Sequence, residues 1–302
     1  MKKKYTPVEI DLSKHERPKV LFIGNGCYYN PDFDWNEVIF NYVGHPIVKG
    51  LSKNVPNTIK VLPADINEIS HKERLKRAFK NYQYLKNDKL IELIDRGGFD
   101  TILTTNYTYD IECELDNNFL NIVDKTKKYA RSSANRLDQK YLIKTHNVIE
   151  KCFKDERTMH IWHIHGELRN SNSIILSHDA YGSLTGKITQ YINESFSNYI
   201  SNNIKFDSWI DYFVFADIYI VGFGYDYSEF DLWWLLNKRF RTNNRGKMVF
   251  YQLPTDEIKI ERMNLISQFD VKTKSLGYDN SSQDYRSFYL DVYKDILKEI
   301  SI

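Results

Sequence analysis

The sequence predicts an α/β protein with a mostly parallel sheet and helices on both of its faces. Short apolar runs alternate along the chain with longer helix-like stretches, the pattern of strands joined by helical crossovers. Four of those runs end abruptly in glycine or in polar residues. Open α/β sheets bind ligands outside the carboxyl ends of their strands, so residues at those ends are placed for chemistry.

In chain order, the first strand spans 19–23 and closes on Gly24-Asn25-Gly26. The strand at 101–104 ends in Thr105-Asn106-Tyr107, the one at 160–164 in His165-Gly166, and the one at 218–221 in Gly222-Phe223-Gly224. Shorter runs at 174–176, 248–252 and 271–274 complete the strands, each a few apolar residues bounded by turn formers. Helical periodicity occupies 34–43, 69–96, 188–211, 228–240 and 284–300. The fourth of these has the sharpest start. Ser228 and Asp231 stand at capping-box spacing before Trp233, Trp234, Leu235 and Leu236, and Lys238, Arg239 and Arg241 complement the dipole at its far end. The paired tryptophans read as core packing.

The polar stretch from about 113 to 157 has no strong strand and reads as an insertion covering one sheet edge, while about 30–99 supplies a helical cover. The whole chain, 1–302, reads as one domain: 42% hydrophobic and 15% aromatic residues suffice for a large core. The net charge of +2 is interspersed, so no basic tract argues for nucleic-acid or membrane binding, and Met1 to Lys4 reads as a solvated terminus. No stretch approaches the ~18 apolar residues of a membrane span, and no apolar signal core follows the first lysines. A cytoplasmic location is expected. Cys27, Cys113 and Cys152 are too few and too scattered for a disulfide framework or a zinc site.

Each strand-end motif has a chemical and a structural reading. Gly24 and Gly26 permit a tight turn and a close backbone approach to a pyrophosphate, or simply a turn that needs positive φ. Asn106 can orient a water or a ribose hydroxyl through its neutral amide, or form an Asx turn. Strand alternation puts His163 and His165 on one face. His165, at the strand end beside Gly166, can exchange a proton near neutral pH, whereas His163 reads as a hydrogen-bonded core residue. As a metal pair the two histidines lack a third ligand in the sequence. The Gly222-Phe223-Gly224 turn can hold a ribose or phosphate.

Taken in order, Gly24–Gly26, Thr104–Tyr107, His165-Gly166 and Gly222–Gly224 resemble the motifs of the sirtuin-like superfamily, particularly its bacterial NAD-hydrolysing branch. Pro31-Asp32-Phe33 resembles the cofactor loop of that family, although Asp34 stands where the family continues with arginine. The resemblance implies a Rossmann-like α/β domain with helical insertions. It also implies an NAD glycohydrolase, commonly an antiphage effector that depletes NAD. Deacetylating members carry four zinc cysteines after the His-Gly motif, and this chain has none beyond His165. The expected activity therefore needs no metal.

By resemblance Asn106 orients the nucleophilic water, and His165 contacts the ribose and accepts a proton. Gly24, Asn25 and Gly26 cradle the pyrophosphate, Asp32 and Phe33 belong to the cofactor loop, and Thr105 and Tyr107 flank Asn106. Gly222, Phe223 and Gly224 line the adenosine ribose, and Asp110 and Glu112 shape the pocket or serve the fold. Such an activity must be gated, so a homo-oligomer or a regulatory partner is expected, with the covers at 30–54 and 116–157 as gating elements. Two alternatives stay open: a silent module that senses NAD or an ADP-ribose derivative, and a nicotinamide oxidoreductase. The second needs an acid about 20 residues past the first glycine turn, at the end of a strand. Residues 44–48 read Gly-His-Pro-Ile-Val, leaving Asp65 after a possible strand at 58–62.

Overall fold

The computed structural model describes residues 7–28, 35–52, 55–66, 69–117, 119, 138–196, 203–279, 281 and 284–301. Its strands are β1 (Val8–Asp11), β2 (Lys19–Ile23), β3 (Thr101–Thr104), β4 (Asn147–Cys152), β5 (Arg157–His163), β6 (Asn203–Phe206), β7 (Asp217–Val221), β8 (Met248–Tyr251) and β9 (Lys272–Lys274). β1 and β6 form a small antiparallel pair. The other seven make one sheet in the order β4-β5-β3-β2-β7-β8-β9, parallel except for β4.

Numbered by their appearance in the chain, the six parallel strands lie in the order 3-2-1-4-5-6. That is the doubly wound, Rossmann-like order, with a ligand crevice where the winding reverses. Here the reversal falls between β2 and β7. Ile23 faces Thr104 on one side and Val221 on the other, and Thr104 faces His163. All four motif-bearing strands therefore finish level at one edge.

Strand alternation sorts the core into two layers. Val20, Phe22, Ile218 and Ile220 pack in one cluster with α7 (His178–Ser195), α8 (Trp209–Phe215) and α9 (Phe230–Phe240). Leu21, Ile23, Tyr219 and Val221 pack in the other with α4 (Asp88–Gly97) and α11 (Tyr285–Ile300). A third, smaller cluster joins α1 (Trp35–Val43) and α3 (His71–Ala78) to Tyr107 and Leu176, with the short α2 (Asn57–Lys60) beside them. This cluster roofs the carboxyl edge of the sheet. Among the described residues, no helix is long and apolar enough to cross a membrane.

Several expectations need correction. The single helix expected at 69–96 is two helices, because Asn87 breaks the pattern and accepts from the Leu90 N–H to cap α4. Residues 174–176 are extended but join no strand; the Ile175 N–H bonds the His165 carbonyl instead. The helix expected at 188–211 starts earlier, at His178, and α8 is a separate helix with its own capping box from Ser208 and Asp211. The box expected at Ser228 and Asp231 is absent: Glu229 occupies the cap position without a side-chain bond, and Ser228 bonds Asp226. Residues 58–62 are helical rather than a strand, which removes the support for Asp65 as a dinucleotide acid.

The 113–157 segment, read as strandless, follows α5 (Asp110–Leu115) and holds α6 (Asp138–Tyr141) and the edge strand β4. β4 escaped the pattern because its inward residues include a polar one, Asn147, next to Ile149. An amide hydrogen bond to Glu112 makes that inward polar residue tolerable. Another missed element, α10 (Glu257–Ser267), buries only Arg262 and Ile266, too little for an apolar stripe. The expected gating covers lie partly in 30–34, 53–54 and 118–137, outside the described residues apart from Phe119.

Candidate functional site

Gly24 and Gly222 end neighbouring strands, and their turns interlock. The Gly24 N–H bonds the Val221 carbonyl at 2.9 Å and the Gly26 N–H bonds the Gly222 carbonyl at 2.8 Å. A Cβ on Gly24 would sit 2.4 Å from the Gly222 carbonyl oxygen, and Gly222 itself has φ +67° with no room beside Cys27. Glycine is thus required here by backbone contact and by left-handed geometry. The two N–H groups expected to cradle a phosphate are spent on the neighbouring turn.

Next along the edge, the Thr104 hydroxyl donates to the Ile23 carbonyl at 2.9 Å and accepts the Asn106 N–H at 3.1 Å. One threonine therefore ties the Asn106 turn to the central strand. From the other side, the His163 ring meets the Asn106 carbonyl at 2.6 Å. Asn106 is buried, yet no side-chain bond ties its amide to another described residue. The Tyr107 hydroxyl is committed to the Ile175 carbonyl at 2.7 Å. Tyr107 is consequently a wall of the site.

Gly166 has φ +97° and its ideal Cβ would lie 2.2 Å from the Ser173 carbonyl oxygen. The turn therefore folds tightly back and leaves the preceding His165 against the first turn of α9. His165 Nε2 lies 3.0 Å from Asp231 Oδ2, and Nδ1 lies 3.5 Å from Glu229 Oε2. The Tyr181 hydroxyl donates to the same Glu229 oxygen at 2.7 Å. Burial alone would depress the imidazole, but the Asp231 and Glu229 carboxylates outweigh it and hold its pKa above the ordinary histidine value. Burial, helped by Asp231 and opposed by His165, pushes the Glu229 carboxyl up to about 7. His165, Asp231 and Glu229 thus form one cluster in which the imidazole and the Glu229 carboxyl are both held above their ordinary pKa values.

These pieces meet in one cleft of about 370 Å³. Asn25, Gly26, Thr105, Asn106, Tyr107 and His165 line it, together with Gly222, Phe223 and Gly224. Gly24 lies behind that lining, and Asp32 and Phe33 fall outside the described residues. Asp110 and Glu112 do not line the cleft: Asp110 holds Tyr82, Thr108 and the Leu85 N–H, and Glu112 holds His163 and Asn147. A larger cavity of about 680 Å³, between Tyr42, Arg74, Asn170 and Leu176, contains none of the strand-end motif residues. The smaller cleft, at the winding reversal, is the candidate site.

Sequence reasoning missed Tyr181, Glu229 and Asp231. Asp231 was legible only as a helix-capping acid, and nothing local pairs it with a histidine 66 residues away. The His165, Glu229 and Asp231 ligand atoms all lie within 4.8 Å of one another, a spacing that suits a divalent cation. Hydrogen bonds from His165 and Tyr181 engage Asp231 Oδ2 and Glu229 Oε2, while Asp231 Oδ1 is buried without a hydrogen-bond partner among the described residues. Comparison with protein-family models gives no match, and no curated protein matches the chain.

Proposed function

We propose that the cleft binds NAD and hydrolyses its nicotinamide–ribose bond, making the protein a metal-independent NAD glycohydrolase. The observation that carries this reading is the convergence of four distant strand-end motifs on one cleft, with Asn106 and His165 both on its lining. Nicotinamide leaves as a neutral base from a cationic precursor, so the transition state is an oxocarbenium-like ribose. It asks for negative charge nearby and a held water, and little acid assistance.

The Glu229 carboxylate, on the cleft lining beside His165, meets the developing positive charge, with Asp231 behind the imidazole. The free amide of Asn106 orients the water. With Asp231 accepting Nε2–H, His165 presents Nδ1 as the proton acceptor, and Asp231 stabilises the imidazolium that results. Glu229, poised near 7, is placed to take that proton onward. Among the described residues, the cleft lining includes neither Lys nor Arg. The acidic end suits the nicotinamide ribose, and the glycine-lined end suits the adenosine half.

The resemblance to defence enzymes motivates a further part of the proposal. The protein would deplete NAD on a trigger, held in check until a homo-oligomer or regulatory partner assembles its covers.

The test is incubation of the purified protein with NAD while free nicotinamide and reduced NAD are both followed. Nicotinamide release that is abolished in Asn106→Ala and His165→Ala, with circular dichroism unchanged, is the expected result. Bound but intact NAD in the wild type would favour the sensing module instead. Turnover retained in both variants would refute the assignment of the two residues.

A further inference from the structure

We infer that His163 is a positioning residue for Asn106, a buried imidazolium that pins the Asn106 carbonyl with one nitrogen and Glu112 with the other. The inference rests on the reading of Asn106 as the water-orienting residue. His163 does not line the cleft, so its role is exerted through the turn it holds.

Hydrogen-bond bookkeeping leads to the charged ring. His163 Nδ1 lies 2.6 Å from the Asn106 carbonyl oxygen, which can only accept. Nε2 lies 2.7 Å from Glu112 Oε1, an oxygen that also accepts from the Asn147 amide at 2.9 Å. Nδ1 therefore donates; opposite a Glu112 carboxylate, which also only accepts, Nε2 donates as well, and this doubly protonated ring is the state we assign to the pair. Both side chains are buried, His163 at 1% and Glu112 at 0% exposure, where an unpaired charge would be costly and a paired, hydrogen-bonded one is tolerated.

The surroundings agree with that state. Burial depresses the His163 pKa, but the Glu112 and Glu167 carboxylates override it and raise it to about 9. Tyr109 packs edge-on against the ring at 5.3 Å. The geometry also explains why the clamp reaches Asn106 in particular. Thr104 holds the turn by the Asn106 N–H and His163 holds it by the Asn106 carbonyl, so the two peptide planes that flank Asn106 are each held by one bond while its side-chain amide is left to the cleft.

The arrangement is built from three separate parts of the chain. Glu112 comes from α5, His163 from β5 and Asn147 from β4. The edge strand β4 thereby contributes to the site at one remove, by keeping Glu112 Oε1 in place.

Two measurements test the inference. Nitrogen-15 NMR of the full chain at pH 7, assigned by loss of the signal in His163→Asn, should find both His163 nitrogens protonated. A neutral ring overturns the inference. In steady-state kinetics, His163→Phe should lower kcat by roughly 10- to 100-fold with KM within about 2-fold, since a displaced positioning group costs rate more than binding. His163→Asn, which returns an amide N–H near the former Nδ1, should recover a large part of that loss. Unchanged kcat in a folded His163→Phe overturns the inference. Should His163→Phe fail to fold, the wild-type NMR still decides. Should the wild type release no nicotinamide, the Asn106 side-chain amide resonances of wild type and His163→Phe carry the test: a shift that His163→Asn largely reverses supports the clamp, and identical resonances in all three overturn it. That arm fails or succeeds independently of the NAD reading.

Discussion

At the ends of β2 and β7 the contacts are backbone against backbone, with Gly24 and Gly26 bonded into the turn at Gly222. At the ends of β3 and β5 the contacts are between ionisable side chains, all buried except the half-buried Glu229: His163 with Glu112, and His165 with Asp231 and Glu229. At Gly24, Gly26 and Gly222 the first half of the cleft has no room for added volume, and the second half is sensitive to a changed charge. A substitution that is mild on one side should therefore be severe on the other.

The largest effect is expected on the backbone side. In Gly222→Ala the new methyl would stand 2.3 Å from the Cys27 nitrogen at φ +67°, costing about 2–5 kcal/mol from left-handed strain and overpacking together. Gly224→Ala is the matched control, because its Cβ would meet only Arg262 Nη1 at 3.9 Å; its cost should stay below about 1 kcal/mol. Urea melts of the two variants read the difference directly. Equal midpoints would erase the distinction between the halves.

Second in size is Asp231→Asn, which preserves shape and removes charge. Nicotinamide release should fall by about 10²-fold or more, because His165 loses the group that fixes its tautomer and stabilises its cation. Thermal stability should change far less than in Gly222→Ala. An active Asp231→Asn enzyme would mean that the His165 to Asp231 bond only serves packing.

A smaller effect is expected from pH, and its sign follows from His163. Its folded pKa, about 9, lies above the ordinary 6.5. The ion pair with Glu112 therefore stabilises the protein fully below pH 6.5, and that contribution is lost as pH rises through about 9. Wild-type Tm should accordingly fall between pH 7 and 10 by more than the Tm of His163→Phe. Parallel curves would show that the charge contributes nothing.

The smallest expected effect is none. Strong chelation should leave nicotinamide release unchanged, since the proposed mechanism has an amide and an imidazole hold the water without a Lewis acid. Activity lost on chelation and restored by a divalent cation would reassign His165, Glu229 and Asp231 to a metal centre.

The same division governs what could be read from the sequence. Gly24, Asn106, His165 and Gly222 were legible because each is the residue that stops an apolar run, a purely local signal. Their partners were not. Asp231 and Glu229 look like acids at the start of a helix, favourable there in any protein, and only the crossover from β7 to α9 brings them to β5. His163 alternates correctly for a core position, and its burial is as expected. Its pairing with Glu112, 51 residues earlier, depends on α5 folding back over the β5 edge. The edge strand β4 was hidden for a related reason: its inward Asn147 is polar because it serves the Glu112 cluster.

The interlocked glycine turns also set a timescale. Amide protons of Gly24 and Gly26 sit in bonds to the last carbonyl of β7 and to the Gly222 carbonyl just after it, and such protons exchange with solvent only when the surrounding structure opens. The floor of the cleft is thus expected to move as slowly as the protein unfolds. Any faster rearrangement on ligand entry has to be carried by the roof of α1, α2 and α3. The floor then serves as a fixed reference against which the reacting groups are aligned.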